Sequence, residues 1–261
     1  GPKPGQWGHG CGHNLLGAAA ALAGIVAEDV LEALGKDARI TVFGTPAEEA
    51  LRGKVLMAEQ GAFVRLDAVL SWHPGARNTA STGGGSAMDS LSFRFRGKTA
   101  HAAGAPHEGR SALDAAVLTD VAVNFLREHI PENARIHCVI PDGGTAPNVV
   151  PDSAEIWYYV RGRDRKQVDE LTARVRRCAR GAAMSTETRC RMLFHDAIAE
   201  RVPNHALAEL LIGLLRRCRP PRFTPADTKA ARRVKPECKY RTDVGEIQTH
   251  QGRGSSDEDN V

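Results

Sequence analysis

Apolar and polar positions follow two different rhythms along this chain, and the change of rhythm divides it. Residues 15–34 form an Ala- and Leu-rich run with its acidic residues late, which predicts a long helix packed on a sheet. Residues 39–44 and 68–72 are short, β-rich and mostly apolar, and each is followed by a proline breaker, so they predict two buried strands. Beyond Gly83-Gly84-Gly85 the pattern alternates over 89–96, becomes an amphipathic helix over 110–130, then strands over 134–140 and 154–161, a helix over 166–183 and a strand over 188–194. That order, βαββαβ, is the ferredoxin-like unit, a layer of helices on an antiparallel sheet. Residues 204–215 read as a helix again. After 216 the apolar periodicity fades while prolines and basic pairs such as Arg216-Arg217 and Arg232-Arg233 accumulate, so 216–261 is expected to be disordered or weakly folded.

The chemistry lies in the first third, in Cys11-Gly12-His13-Asn14, Thr45-Pro46-Ala47-Glu48-Glu49 and Trp72-His73-Pro74. Thiolate and neutral imidazole bind borderline-soft divalent metals, and a carboxylate that stays off the metal can carry a proton. Taken singly, the pieces have blander readings: a cysteine as a small buried hydrophobe, a histidine as a structural group, a Glu-Glu pair as solvated charge. Their placement changes that. Cys11 and His13 stand at the entrance of the first predicted helix, while Glu48, Glu49 and His73 stand at the carboxyl ends of two predicted strands, where open α/β sheets put their ligands. A metal-dependent hydrolase is the function this predicts.

Length and composition are compatible with that. The 261 residues, 42% of them hydrophobic, suffice for one large domain or two modest ones. A formal net charge of +4, mixed in sign along the body, gives no reason to expect a nucleic-acid partner. The opening Gly1-Pro2-Lys3-Pro4-Gly5 is no signal peptide, and no apolar stretch reads as spanning a bilayer, so a cytoplasmic location without a membrane partner is expected. Cys11, Cys138, Cys178, Cys190, Cys218 and Cys238 show neither CxxC nor disulfide-framework spacing, which fits a reducing compartment.

The run Gly8-His9-Gly10-Cys11-Gly12-His13-Asn14-Leu15-Leu16-Gly17, followed in order by Pro46-Ala47-Glu48-Glu49, Trp72-His73-Pro74, Gly97-Lys98-Thr99-Ala100-His101-Ala102-Ala103 and Pro147-Asn148-Val149-Val150-Pro151, resembles the M20 metallopeptidases. Within them it is most similar to the amidohydrolase branch of the p-aminobenzoyl-glutamate hydrolase type. The resemblance implies an α/β, zinc-peptidase-like catalytic domain, partial over 1–86, with an inserted ferredoxin-like α+β dimerisation or lid domain over 87–200, a return to the catalytic domain over 201–215 and a divergent tail over 216–261. It implies Cys11, His13, Glu49 and His73 as ligands of manganese or zinc, two ions in an intact relative, with Glu48 as proton shuttle. It also implies that His101 reaches across a homodimer to polarise the scissile carbonyl, and that Asn148 and Arg161 contact substrate, the arginine through a carboxylate. The substrate is then a small amide of an amino acid: p-aminobenzoyl-glutamate, an N-acyl-amino acid or a dipeptide. A second, different polypeptide in the same enzyme is a further possible partner.

The likeness runs from about residue 5 to about residue 215. An acidic residue before the first motif and a late histidine ligand, both found in such enzymes, are not recognised here, so the chain is expected to be truncated at both ends. Gly254-Ser255-Ser256-Asp257 faintly resembles a Gly-Ser-Thr-Asp motif found late in these hydrolases, although such composition is also that of a linker. An inactive remnant that keeps only a dimerisation module is the alternative reading.

Overall fold

The computed structural model describes residues 10–50, 52–75, 77–218, 222–237, 243–249 and 256–261. The chain divides into two compact bodies, one made of 1–46, 63–82 and 203–250, the other of 47–62, 83–202 and 251–261. Residues 47–62 and the last stretch of the chain group with the body that carries the four-stranded sheet.

In the first body, helix α1 spans His13–Ala33. None of its residues is buried, and Leu15, Leu22 and Ile25 are all more than half exposed. At 21 residues it is long and apolar enough, by length and composition, to cross a membrane. This corrects the expectation that no stretch reaches that length and composition: its acidic residues fall late and leave a long apolar window. The strands expected at 39–44 and 68–72 are also absent, because neither segment is bonded into a ladder among the described residues. Their composition suits a buried sheet, but a strand exists only with a hydrogen-bonded neighbour. Val42 instead packs on α1 at Gly24, where an added Cβ would stand 2.4 Å from Val42 Cγ2.

The described residues of the stretch 216–261 are more ordered than expected. Helix α5, His205–Cys218, buries Ala208 and Ile212 beside Ala80, with Val244 and Ile247 packed partly against them. Residues 78–82 and 244–248 run parallel, joined by Gly245 N–H to Asn78 O, Gln248 N–H to Ala80 O and Thr82 N–H to Gln248 O, each 2.9 Å. Helix α6, Pro225–Val234, starts on a capping box in which Thr224 and Asp227 satisfy each other's backbone amides. Local capping and a few apolar residues at paired positions order what average composition reads as a tail.

The second body follows the predicted βαββαβ order. Helix α2 (Gly53–Glu59) precedes β1 (Ala87–Arg96), α3 (Ala112–Arg127), β2 (Arg135–Asp142), β3 (Ser153–Gly162), α4 (Arg165–Ser185) and β4 (Arg189–Ile198). The sheet is antiparallel in the order β2-β3-β1-β4. Strict alternation along β3 buries Ala154, Ile156, Tyr158 and Val160 on one face, and β1 adds Leu91, Phe93 and Phe95. Helix α4 answers with Val168, Leu171, Val175, Ala179 and Ala182, spaced by three and four residues, and α3 with Ala112, Ala115, Ala116 and Val123. Each fully buried large side chain contributes about 1.5–3 kcal/mol, which makes this layer the main source of stability in the body. Both helices have side-chain caps, Ser111 accepting from Asp114 N–H and Asp164 from Gln167 N–H.

One buried ionic group ties the ends of β1 and β4 together. Asp89, with its side chain 3% exposed, receives Arg165 Nη2 at 2.6 Å and Thr172 Oγ1–H at 2.6 Å, while Arg165 Nη1 donates to the carbonyls of Met88 and Ile198. The other face of the sheet at this end is covered by α2, whose Val55 joins Met88, Ile198 and Tyr159.

Candidate metal and catalytic site

Gly12 shapes the Cys11-Gly12-His13 turn. It caps α1 in the left-handed region at φ +73°, and a Cβ there would stand 3.1 Å from Pro74 Cγ. Glycine therefore both makes the bend and admits the His73-Pro74 segment to the helix entrance. Trp72 Nε1–H donates to the Leu16 carbonyl at 3.3 Å, which fastens the same segment to the first turn of α1. As a result His13 and His73 meet edge to face, ring centroids 5.5 Å apart and planes at 89°. One ligand atom from each of Cys11, His13 and His73 lies within 4.8 Å of the others.

The donor set fits a divalent metal. Ligands about 2.0–2.3 Å from a shared ion stand within about 4.6 Å of each other, so at most a small side-chain rotation brings all three to one ion. A thiolate with two imidazoles is zinc-class chemistry. His73 Nδ1 is 2.8 Å from the Pro74 carbonyl oxygen. A carbonyl only accepts, so Nδ1 carries the proton and Nε2 presents its lone pair, which is the tautomer a metal-binding imidazole needs.

The remaining predicted residues belong to the second body. Glu48 and Glu49 open a 3-10 turn, Glu48–Ala50, directly after Ala47, which is held at φ +62°. That conformation costs a non-glycine residue about 1–2 kcal/mol, so the two glutamates follow a strained bend. Ser256 Oγ–H donates to Glu48 Oε1 at 3.2 Å. Lys54 and Asp257 pair nearby at 2.6 Å, with Asp257 fully buried. Sequence reasoning passed over Lys54, Ser256 and Asp257; the only signal was the Gly254-Ser255-Ser256-Asp257 likeness, whose first two residues lie outside the described residues.

His101 and Asn148 come together. Ala102 N–H donates to Asn148 O at 3.0 Å, Val150 N–H to Ala100 O at 3.0 Å, and His101 bridges Val149. Both side chains are exposed. His101 Nδ1 accepts from Gly104 N–H at 3.0 Å, which places the proton of the neutral ring on Nε2. Arg161 is elsewhere. It pairs with Met88 near the end of β3, its guanidinium 5.7 Å from the Tyr159 ring centroid, and burial pulls its pKa below the ordinary arginine value. From Ser153, beside the His101 and Asn148 loops, to Arg161 the strand runs eight residues, roughly 26 Å.

Residues 86–187 match the peptidase dimerisation domain of the M20 family. The chain is 40% identical over 236 residues to one of the component chains of p-aminobenzoyl-glutamate hydrolase of Escherichia coli, covering 88% of this chain and 48% of that protein. It is 37% identical to human Xaa-Arg dipeptidase, over 69% of this chain and 42% of the relative. Among solved structures it superposes on an aminobenzoyl-glutamate utilization protein from Klebsiella pneumoniae with a TM-score of 0.57 and 25% identity, covering 82% of this chain and 50% of the other. The chain spans about half the length of the curated relatives it matches, and those relatives are hydrolases of amide bonds. The ferredoxin-like sheet and the match over 86–187 identify an M20 peptidase dimerisation domain, and the relatives found over both bodies make the chain similar to peptidases and amidohydrolases of that family.

Proposed function

We propose that this protein is a metal-dependent amidohydrolase that releases an amino acid from a small amide, with p-aminobenzoyl-glutamate the first substrate to try and N-acyl-amino acids and dipeptides next. The observation that carries this is the convergence of Cys11, His13 and His73 at the entrance of α1, with His73 in the ligand tautomer. Glu49 completes the ligand set, and the ion is manganese or zinc, two per site in the assembled enzyme. A divalent ion held by these residues would supply Lewis-acid chemistry, an activated water and a polarised scissile carbonyl. Glu48 takes the water's proton and passes it to the leaving amine nitrogen. His101 offers Nε2–H to the carbonyl oxygen as negative charge develops there. Asn148 contacts the substrate, and Arg161 holds its carboxylate in a planar fork.

The protein acts as a homodimer through its ferredoxin-like body, and His101 and Asn148 serve the partner's site. What supports this is the distance along β3. Within one chain Arg161 shares the Met88 end of the sheet with α2, which follows Glu48 and Glu49, while His101 and Asn148 occupy the other end. A small amide cannot span roughly 26 Å, so one chain does not assemble all the groups. The outer face of α3 carries Val117, Val121 and Phe125, the last 72% exposed, and the adjoining edge strand β2 exposes Val139 and Ile140. An uncovered strand edge beside an apolar helix face is a template for a two-fold contact. A cytoplasmic setting suits the reduced thiols Cys11, Cys138, Cys178, Cys190 and Cys218.

The test is release of free amine from p-aminobenzoyl-glutamate, an N-acyl-amino acid and a dipeptide by purified protein supplied with manganese or zinc. Chelator should abolish it. A second reading, a dimerisation module without catalysis, is favoured by one observation: the second body has a closed apolar core, whereas α1 in the first buries no residue. Dimers that neither bind metal nor hydrolyse any of the three substrates would establish that reading.

A further inference from the structure

The last residues of the chain are anchored at several points to the second body. Asp257, fully buried, receives the Lys54 backbone N–H on Oδ2 at 2.9 Å and Lys54 Nζ on Oδ1 at 2.6 Å. Arg201 Nε meets Asp259 at 2.6 Å. Asn260 accepts from Ala199 N–H at 3.0 Å and donates to Ala197 O at 3.3 Å. The 3-10 turn Asp257–Asn260 is therefore pinned on one side to α2 and on another to the exit of β4.

A buried ion pair is a poor source of net stability, since two well-packed apolar residues hold such a place as well or better. Its particular property is geometry: both oxygens of one carboxylate are taken by a single residue, so the backbone beside it has one register. The residue beside it is Ser256, whose hydroxyl donates to Glu48 Oε1 at 3.2 Å. A hydroxyl has one proton to give. Given to Oε1, it holds the rotation of that carboxylate. Resting on the reading of Glu48 as proton carrier, we propose that Ser256 orients the Glu48 carboxylate, and that Lys54 and Asp257 are positioning residues that hold Ser256 in place.

The experiment compares Ser256→Ala, Ser256→Thr, Lys54→Met and Asp257→Ala in the full chain supplied with metal. Ser256→Ala and Lys54→Met should lower kcat by about ten- to a hundredfold with KM and bound metal at parent values, and Ser256→Thr should restore most of the loss. On the residual rate of Glu48→Gln, Ser256→Ala should add nothing, because the group it orients is gone. A weaker KM or a lower metal content at constant kcat, or a full additive loss on top of Glu48→Gln, overturns the proposal. Hydrogen exchange supplies a readout without turnover. The Lys54 amide should be protected in the parent and exchange at least about tenfold faster in Asp257→Ala. If the parent hydrolyses nothing, the reading of Glu48 fails on its own, and exchange decides the anchorage: loss of protection in Asp257→Ala supports it, and an unprotected parent amide overturns it.

Discussion

Arg161 and His101 stand at opposite ends of one sheet: Arg161 pairs with Met88 near the start of β1, and His101 follows Arg96, where β1 ends. If both serve one substrate, they serve it from two chains. Mixing His101→Ala with Glu48→Gln, each inactive alone, then creates mixed dimers with one complete site. Free exchange makes half the dimers mixed, so about a quarter of the parent rate should return. No recovery despite demonstrated exchange of protomers would remove the role across the dimer, and a monomer by sedimentation would remove the dimer itself.

The two glutamates after the strained Ala47 are separable by substitution. Glu48→Gln should cost about two to four orders of magnitude in rate while metal content stays at the parent level. Glu49→Gln should lower metal content. The opposite pattern would exchange their roles.

Thiol chemistry distinguishes Cys11 from the other cysteines. As a ligand it is held as the thiolate, so metal should shield it from an alkylating reagent and chelation should uncover it. Burial pushes Cys190 up to about 11, and burial together with S–H donation to Asp120 does the same for Cys138, so these two should label slowly with or without metal. Equal labelling of Cys11 in both conditions, read by peptide mass, would take it out of the site.

Asp89 gives a pH-dependent stability. Burial raises its pKa above 3.8, against the lowering effects of Thr172 and Arg165. The folded state thus holds this proton more tightly than the unfolded chain, and acidification through the folded value favours the fold. Removing the opposing charge in Arg165→Met should destabilise the body by about 3–5 kcal/mol near neutral pH. The loss should shrink at a mildly acidic pH as Asp89 takes up a proton. Urea midpoints at the two pH values check this, and a loss independent of pH would mean that Asp89 is not the group left uncompensated.

How much of this could be read from the sequence depends on how local each cause is. The alternation in β3 and the three-and-four spacing in α4 lie within single segments, and both elements fall where the pattern puts them. The segments 39–44 and 68–72 carry strand composition too, yet pairing is a property of neighbours that composition does not contain. Cys11, His13 and His73 were legible because the ligand types sit beside breakers, Gly12 and Pro74, that bring them together. Asp257 was much less so: its partner Lys54 lies 203 residues away, and the Gly254-Ser255-Ser256-Asp257 likeness around it has the composition of a linker as well.

The metal centre carries the whole functional account, and metal stoichiometry tests it most directly. Zinc or manganese titrated into chelator-treated protein, followed by calorimetry and elemental analysis after dialysis, should show at least one retained ion per chain. Cys11→Ser, His13→Ala and His73→Ala should each weaken retention by about ten- to a hundredfold or more. Parent protein that retains no metal, or three variants that retain it as well as the parent, would contradict the account.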